Sequence, residues 1–150
     1  MRVLTLFAIM VLLTACGQQE EAEKKQSQPV VTMPQQNFDT ARITRGGRLF
    51  KEYCAECHGD KAQGAANWRQ KGADGKYPAP PLDGTGHAWH HPKKILLMTI
   101  RDGTGKLGGS MPAWGSQLSE QDMNDIITWF QVKWPDEIYA EWVKRDAQSN

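Results

Sequence analysis

Five consecutive residues, Cys54-Ala55-Glu56-Cys57-His58, carry the densest chemistry of this sequence. Two thiols three residues apart, followed at once by an imidazole, have the spacing of covalent haem attachment. Each thiol adds to one vinyl group of a porphyrin, and the two vinyls lie on neighbouring edges of one ring. The histidine then falls beneath the ring centre and reaches the iron. On this reading the cofactor is one haem c, bound through Cys54 and Cys57 with His58 on the iron. Two other chemistries use the same residue types. A redox dithiol normally sits in a βαβ pattern, which this chain lacks. A closed zinc site takes four ligands, and the sequence has no second cysteine pair to complete one.

An iron so held has a second axial position. The candidates downstream of His58 are His87, His90, His91, Met98, Met111 and Met123. Met98 lies mid-helix among Ile95, Leu97 and Ile100, where methionine serves as a core filler. Met123 has a structural post at the start of a later helix. Met111 stands in Gly108-Gly109-Ser110-Met111-Pro112-Ala113-Trp114, a loop with no helical face to fill. Its glycines let backbone approach a flat ring, and Pro112 stiffens the way out. Met111 is therefore the expected second ligand. The run Gly86-His87-Ala88-Trp89-His90-His91 places three histidines within five residues. Copper or zinc is one use for them, but only Asp83 lies near enough to add to the set. Hydrogen bonding to haem propionates or water is the expected use, and displacement of Met111 on oxidation is another. Trp89 and Trp114 are read as lining the haem pocket.

The elements that must position these groups read as helices. Asp39 is an N-cap for a helix from Thr40 to about Cys54. Ile43, Gly46, Gly47, Phe50, Tyr53, Cys54 and Cys57 recur at steps of three and four and mark its face. Adjacent glycines weaken a helix, and close approach of another helix is the expected compensation. The stretch from Gly59 to His91 is a long loop punctuated by glycine and proline, suited to wrapping a haem. Pro92 opens a middle helix with Ile95, Leu96, Thr99 and Ile100 on one face, stopped by Asp102-Gly103. Ser119 and Asp122 form a capping box for the next helix, with Leu118 and Met123 as a hydrophobic staple. Met123, Ile126, Ile127 and Phe130 are its buried stripe, with Trp129 beside them. Pro135 marks a break before a short last helix carrying Ile138, Trp142 and Val143. No alternating strand pattern occurs, so the expected fold is all-α.

The N-terminal region is of another kind. Residues 1–15 carry Arg2 and then an apolar run from Val3 to Leu13 broken only by Thr5, which is the pattern of an export signal and too short to span a bilayer comfortably. Leu13-Thr14-Ala15-Cys16 resembles the lipobox of bacterial lipoproteins, which implies that Cys16 is lipid-modified and becomes the mature N-terminus. The other reading is an ordinary cut near Ala15 that leaves a thiol at Cys16. Residues 16–38 are rich in Gln, Glu and Lys and lack the apolar residues for a core, so they read as a flexible tether spanning ~25 Å. The haem domain occupies 39–150, with a C-terminal helical extension. Removing residues 1–15 leaves 135 of the 150 residues, and loss of Arg2 brings the 18 basic residues level with the 17 acidic ones. No basic excess points to nucleic acid.

Together these residues resemble the class I (monohaem) cytochromes c, of a lipoprotein-anchored bacterial type. The resemblance runs from Gly46 to about Phe130. It rests on the helix before the Cys54–Gly59 motif, on Ala79-Pro80-Pro81-Leu82, on Met111-Pro112-Ala113-Trp114 and on the aromatic late helix. It implies a small all-α fold wrapped around one haem, with His58 and Met111 as axial ligands. It also implies that Gly46 and Phe50 pack near Trp129, that Pro80 or Pro81 directs a carbonyl at the second nitrogen of His58, and that Leu82 lies against the ring. The tether, the loop around Trp68 to Tyr77 and the extension past Pro135 depart from the family. The implied function is electron transfer between redox partner proteins of a respiratory chain, on the periplasmic or extracytoplasmic side of a membrane reached through the lipid anchor. The alternatives are a haem subunit of an oxidoreductase complex and, if Met111 is labile, a haem-based gas sensor.

Overall fold

A computed structural model describes residues 36–149. The expected signal (1–15), the lipidation site Cys16 and the tether up to residue 35 lie outside the described residues. Among those described there is no β-strand, and five helices follow in order. They are α1 (Thr40–Tyr53), the single turn α2 (Ala55–His58), α3 (Lys93–Asp102), α4 (Glu120–Gln131) and α5 (Asp136–Ala147). Short 3-10 turns occupy Ala88–His90 and Gly105–Leu107. The fold is all-α, and none of the described helices is long and apolar enough to cross a membrane.

The crossing of α1 on α4 organises the domain. A Cβ on Gly46 would stand 1.9 Å from the carbonyl oxygen of Asp125, so only a residue without a side chain admits α4 at this distance. A Cβ on Gly47 would stand 2.7 Å from Trp129 Nε1. The glycine pair is thus the seam of the crossing. Beside it Phe50 stacks on Trp129 with ring centroids 4.3 Å apart. Asp125 is buried on this seam and is matched there by charge. It accepts from Arg42 Nε at 2.8 Å, Arg45 Nη1 at 2.9 Å and Gln121 Nε2 at 2.7 Å. Arg45 also pairs with Asp122.

α4 starts where local chemistry starts it. Ser119 caps the backbone of Asp122, whose side chain reaches back to the Ser119 amide, and Leu118 and Met123 are both buried. The Asp122 carboxyl lies below the usual carboxylate range, chiefly because Ser119 hydrogen-bonds it, with Arg45 adding to the effect. α3 begins after Pro92 and ends at Gly103, which takes φ +65°. It buries Leu96 and Ile100. Met98, expected as a core filler, is 41% exposed. The correction has a helical cause. Met98 lies two residues from both Leu96 and Ile100, about 200° around the helix from each, on the far side of the buried stripe.

α5 is not short: at 12 residues it equals α4. Ala140 and Trp142 are buried in it, and Trp134 just before it is 3% exposed. It packs on the His-rich turn. The Trp142 indole N–H donates to the His91 carbonyl at 2.9 Å, and Asp146 accepts from the first amide of α3 at 2.7 Å. At the other end of the domain sequence, Gln36 Nε2 donates to the Trp134 carbonyl at 3.0 Å and Phe38 meets Tyr139 edge-on at 5.3 Å. The last residues of the segment read as tether therefore have partners on and beside α5.

Candidate haem site

α1 hands its chain directly to the candidate attachment motif. Cys54 is the residue at which α1 ends, its amide still bonded to the Phe50 carbonyl at 2.9 Å. The amides of Cys57 and His58 both donate back to the Cys54 carbonyl, at 3.2 and 2.9 Å. One tight turn thus fixes both sulfurs and the imidazole relative to each other. Cys54 is buried in the hydrophobic cluster, Cys57 is exposed, and no disulfide joins them. Burial, aided by Cys57, pushes the Cys54 thiol up to about 12. Reactive dithiols need a depressed thiol pKa, so this surrounding opposes the redox-dithiol alternative.

His58 is 7% exposed, and its orientation is set from across the loop. Its Nδ1 lies 2.8 Å from the carbonyl oxygen of Pro80. A carbonyl only accepts, so Nδ1 carries the proton and Nε2 keeps its lone pair. Nε2 has no hydrogen-bond partner among the described residues. Burial lowers the His58 pKa, with the Pro80 hydrogen bond opposing it. An oriented imidazole with one nitrogen available, beside two thiols in one turn, fits a covalently held haem iron.

The Pro80 carbonyl is itself gripped. Gly64 takes φ +68°, and a Cβ there would stand 2.6 Å from the Pro80 carbonyl carbon. A Cβ on Gly86 would stand 2.2 Å from the Pro81 oxygen. On either side of the proline pair, Ala65 donates to the Ala79 carbonyl at 2.9 Å and Leu82 donates to the Ala62 carbonyl at 2.8 Å. Ala62 is fully buried with φ +61°, an uncommon conformation for a residue with a side chain. The motif end is tied to the same strip, because Gly64 donates to the His58 carbonyl at 2.7 Å. Pro81 is buried, and Leu82 is half-buried against the core cluster that contains Cys54.

Met111 is half-buried against that same cluster. Its loop closes on itself: Met111 donates its amide to Thr104 Oγ1 and accepts from the Thr104 amide, both at 3.0 Å. Trp114 and Gly115 donate to the Ile100 and Arg101 carbonyls at the end of α3. Trp114 meets Tyr53 of α1 edge-on at 5.3 Å. The loop is therefore built and held at both ends. The histidines of the 3-10 turn do not converge: among the described residues no three His, Cys, Asp or Glu side chains group to hold a metal. His87 lies 5.5 Å from His91 and 5.6 Å from Trp68, while His90 stacks on Trp89. A cleft of about 330 Å³ beside Pro80 is lined by Trp68, Arg69, Tyr77, Pro78 and His87.

Comparison with known proteins decides the family. Residues 41–130 match the family model described as cytochrome c oxidase, cbb3-type, subunit III. The chain belongs to this family. It is a c-type cytochrome domain, its cofactor is haem c, and its role is that of a haem electron carrier or oxidoreductase subunit. Among its relatives is the cbb3-type cytochrome c oxidase subunit CcoP of Azospirillum sp. (strain B510), 33% identical over 61% of this chain and 28% of that protein. The subunit of the same name from Azospirillum brasilense is 27% identical over 67% of this chain and 31% of the relative. A thiosulfate dehydrogenase of Stutzerimonas stutzeri (strain A1501) is 46% identical over 37% of this chain and 15% of its own length. The cytochrome thus spans less than a third of each of these relatives. No solved structure matches it.

Two groups around the cytochrome site do not stand out in the sequence as site residues. Trp134, notable there only for the proline after it, donates its indole N–H to the Leu82 carbonyl at 2.8 Å. The second is the ion pairing of Asp125. Its signal is present, since Arg42 and Arg45 repeat the three-residue spacing of Asp122 and Asp125 with opposite charge.

Proposed function

We propose that this cytochrome domain is an electron carrier in which Cys54 and Cys57 hold haem c by thioethers and His58 and Met111 are the axial ligands. The observation that carries the reading is the 2.8 Å approach of the Pro80 carbonyl to His58 Nδ1. When bound, the haem supplies a one-electron ferric–ferrous couple. The chain's residues set its poise. By accepting from Nδ1–H, Pro80 makes His58 a more basic ligand and fixes its ring. The Met111 thioether is a soft donor that favours the ferrous state. Pro81, Leu82 and Trp114 wall the pocket and keep its surroundings apolar. Filling of both axial positions suits electron exchange rather than substrate binding, which argues against a gas-sensing role.

The partners are redox proteins of a respiratory chain, and the domain works either as a separate shuttle or within an oxidoreductase complex. The cbb3-type oxidase subunits and the thiosulfate dehydrogenase among the relatives support this setting. Residues 1–15 export the chain, and a lipid on Cys16 keeps the head near the periplasmic face of a membrane. The ligand assignment is tested by absorption spectroscopy of the oxidised protein. Met111→Ala removes the weak sulfur–iron band at the red end of the spectrum and lets the reduced form bind carbon monoxide. Met98→Ala, at an exposed position, leaves both properties as in the parent. The reverse pattern would move the ligand to Met98.

A further inference from the structure

The family match ends at residue 130, and the chain beyond it reaches back to the loop segment whose carbonyl meets the candidate iron ligand His58. Trp134 is 3% exposed and makes one side-chain hydrogen bond, from its indole N–H to the Leu82 carbonyl. Leu82 is two residues from Pro80. Its amide is already committed to the Ala62 carbonyl, inside the turn after His58. With both its amide and its carbonyl engaged, Leu82 has a fixed peptide plane on each side. The Pro80-Pro81 pair before it has φ set by its rings, so only ψ remains to absorb a change, and Gly64 and Gly86 close on the pair. Pro135 and Trp134 also close on Gly84, where a Cβ would stand 3.0 Å from Pro135 Cδ and 3.3 Å from Trp134 Cα. The segment carrying the His58 hydrogen bond is therefore held between the attachment turn on one side and the entry to α5 on the other.

We infer that Trp134 is a positioning residue for the haem iron: by holding the Leu82 carbonyl it keeps the Pro80 carbonyl on His58 Nδ1. The inference rests on the proposal that His58 is an iron ligand. The physical chain is short. Without the indole donor, the Leu82 carbonyl loses its partner and the segment opens locally more often. Each opening releases Nδ1–H from Pro80. His58 is then on average a less basic ligand, ferric iron is less favoured, and the reduction potential rises. Trp142 is the natural contrast. Its indole also holds a carbonyl of the same long loop, at His91, nine residues beyond Leu82 and remote in sequence from Pro80.

The test uses the haem-loaded protein and the variants Trp134→Phe and Trp142→Phe, each of which keeps an aromatic ring and removes one indole donor. The readouts are NMR exchange of the His58 Nδ1 proton with solvent, the reduction potential and the denaturation midpoint. Trp134→Phe is expected to speed Nδ1–H exchange roughly two- to tenfold, the range that a lost hydrogen bond gives, and to shift the potential upward. Trp142→Phe is expected to lower the denaturation midpoint without either effect. Equal effects of the two variants on exchange and potential would reduce Trp134 to a purely structural residue and overturn the inference. So would unchanged exchange in Trp134→Phe. Should Trp134→Phe yield no folded protein, the parent decides. The Trp134 indole proton and the His58 Nδ1 proton must then exchange through one opening, with the same dependence on denaturant, and separate openings refute the link. A parent protein lacking a histidine–iron signal in its spectrum would instead remove the ligand assignment on which the inference rests.

Discussion

Gly46→Ala separates helix propensity from helix crossing. Alanine at an exposed helix interior stabilises relative to glycine by about 1 kcal/mol. Here the new Cβ would lie 1.9 Å from the Asp125 oxygen, 2.5 Å from its carbonyl carbon and 3.0 Å from Trp129 Cβ. The first two are backbone atoms in the middle of α4, so no rotamer change relieves the contact. Ordinary van der Waals contact begins about 1.5 Å further out. α1 and α4 must part by a comparable distance, loosening the Phe50–Trp129 stack and the Arg42 and Arg45 bonds to Asp125. Overpacking of this kind costs about 1–3 kcal/mol and more when backbone opposes backbone. Set against the propensity gain, a net loss of about 2 kcal/mol is expected. Gly47→Ala is the control. Its Cβ would meet only side-chain atoms, those of the half-buried Trp129 indole, the nearest at 2.7 Å, so a shift of one ring against Phe50 and Lys133 relieves the contact without parting the two backbones. A net change within about 1 kcal/mol is expected there. Denaturant titration of the purified, haem-containing protein, followed by far-UV circular dichroism, measures both. A Gly46→Ala variant as stable as the parent, or stabilised like an exposed helix position, would refute the close crossing of α1 on α4.

Two other expectations concern the periphery. Burial, with His87, His90 and Arg145 adding to it, lowers the His91 pKa. The unfolded chain therefore takes up this proton first as pH falls, so stability declines below the ordinary value of 6.5 and levels off once pH is under the depressed folded value. His91→Asn should flatten that part of the stability–pH curve, measured by denaturation at about pH 5 to 7.5; an unchanged slope would show that His91 does not titrate on folding. Cys16→Ser should shift the protein from the membrane fraction to the soluble fraction, because stable anchoring takes two acyl chains and a serine accepts none by this route; undiminished membrane retention would contradict lipidation at Cys16.

What is legible in the sequence is local. The capping box of Ser119 and Asp122, the staple of Leu118 and Met123 and the glycine stop of α3 each depend on residues within five positions of one another, and each is present. Gly46 and Gly47 read as a crossing because a glycine pair is costly in a helix and needs a reason. Met98 departs from expectation because apolar sequence neighbours do not fix a helical face, and Leu97 and Ile95 are themselves only half-buried. The full length of α5 is not marked locally: its N-cap, Pro135, makes no side-chain cap bond, and the indoles of Trp142 within it and Trp134 before it reach carbonyls far away in sequence.

The candidate site divides along the same line. The attachment turn is one stretch of five residues, and its chemistry is on view in the order of its letters. Its tuning is not local. The Pro80 carbonyl is 22 residues from His58, the Trp134 indole is 52 residues from Leu82, and Arg42 is 83 residues from Asp125. A resemblance narrows the first of these to two prolines, and geometry chooses Pro80. Nothing narrows the second, because an indole donor needs only one acceptor and every loop carbonyl is a candidate. The motif thus identifies the cofactor, while the groups that orient the imidazole come from the long loop, at Pro80, and from the turn before α5, at Trp134. Under the positioning role inferred for Trp134, c-type haem domains with the same five letters would differ in potential through a residue outside the motif and, in this chain, beyond residues 41–130 that match the family.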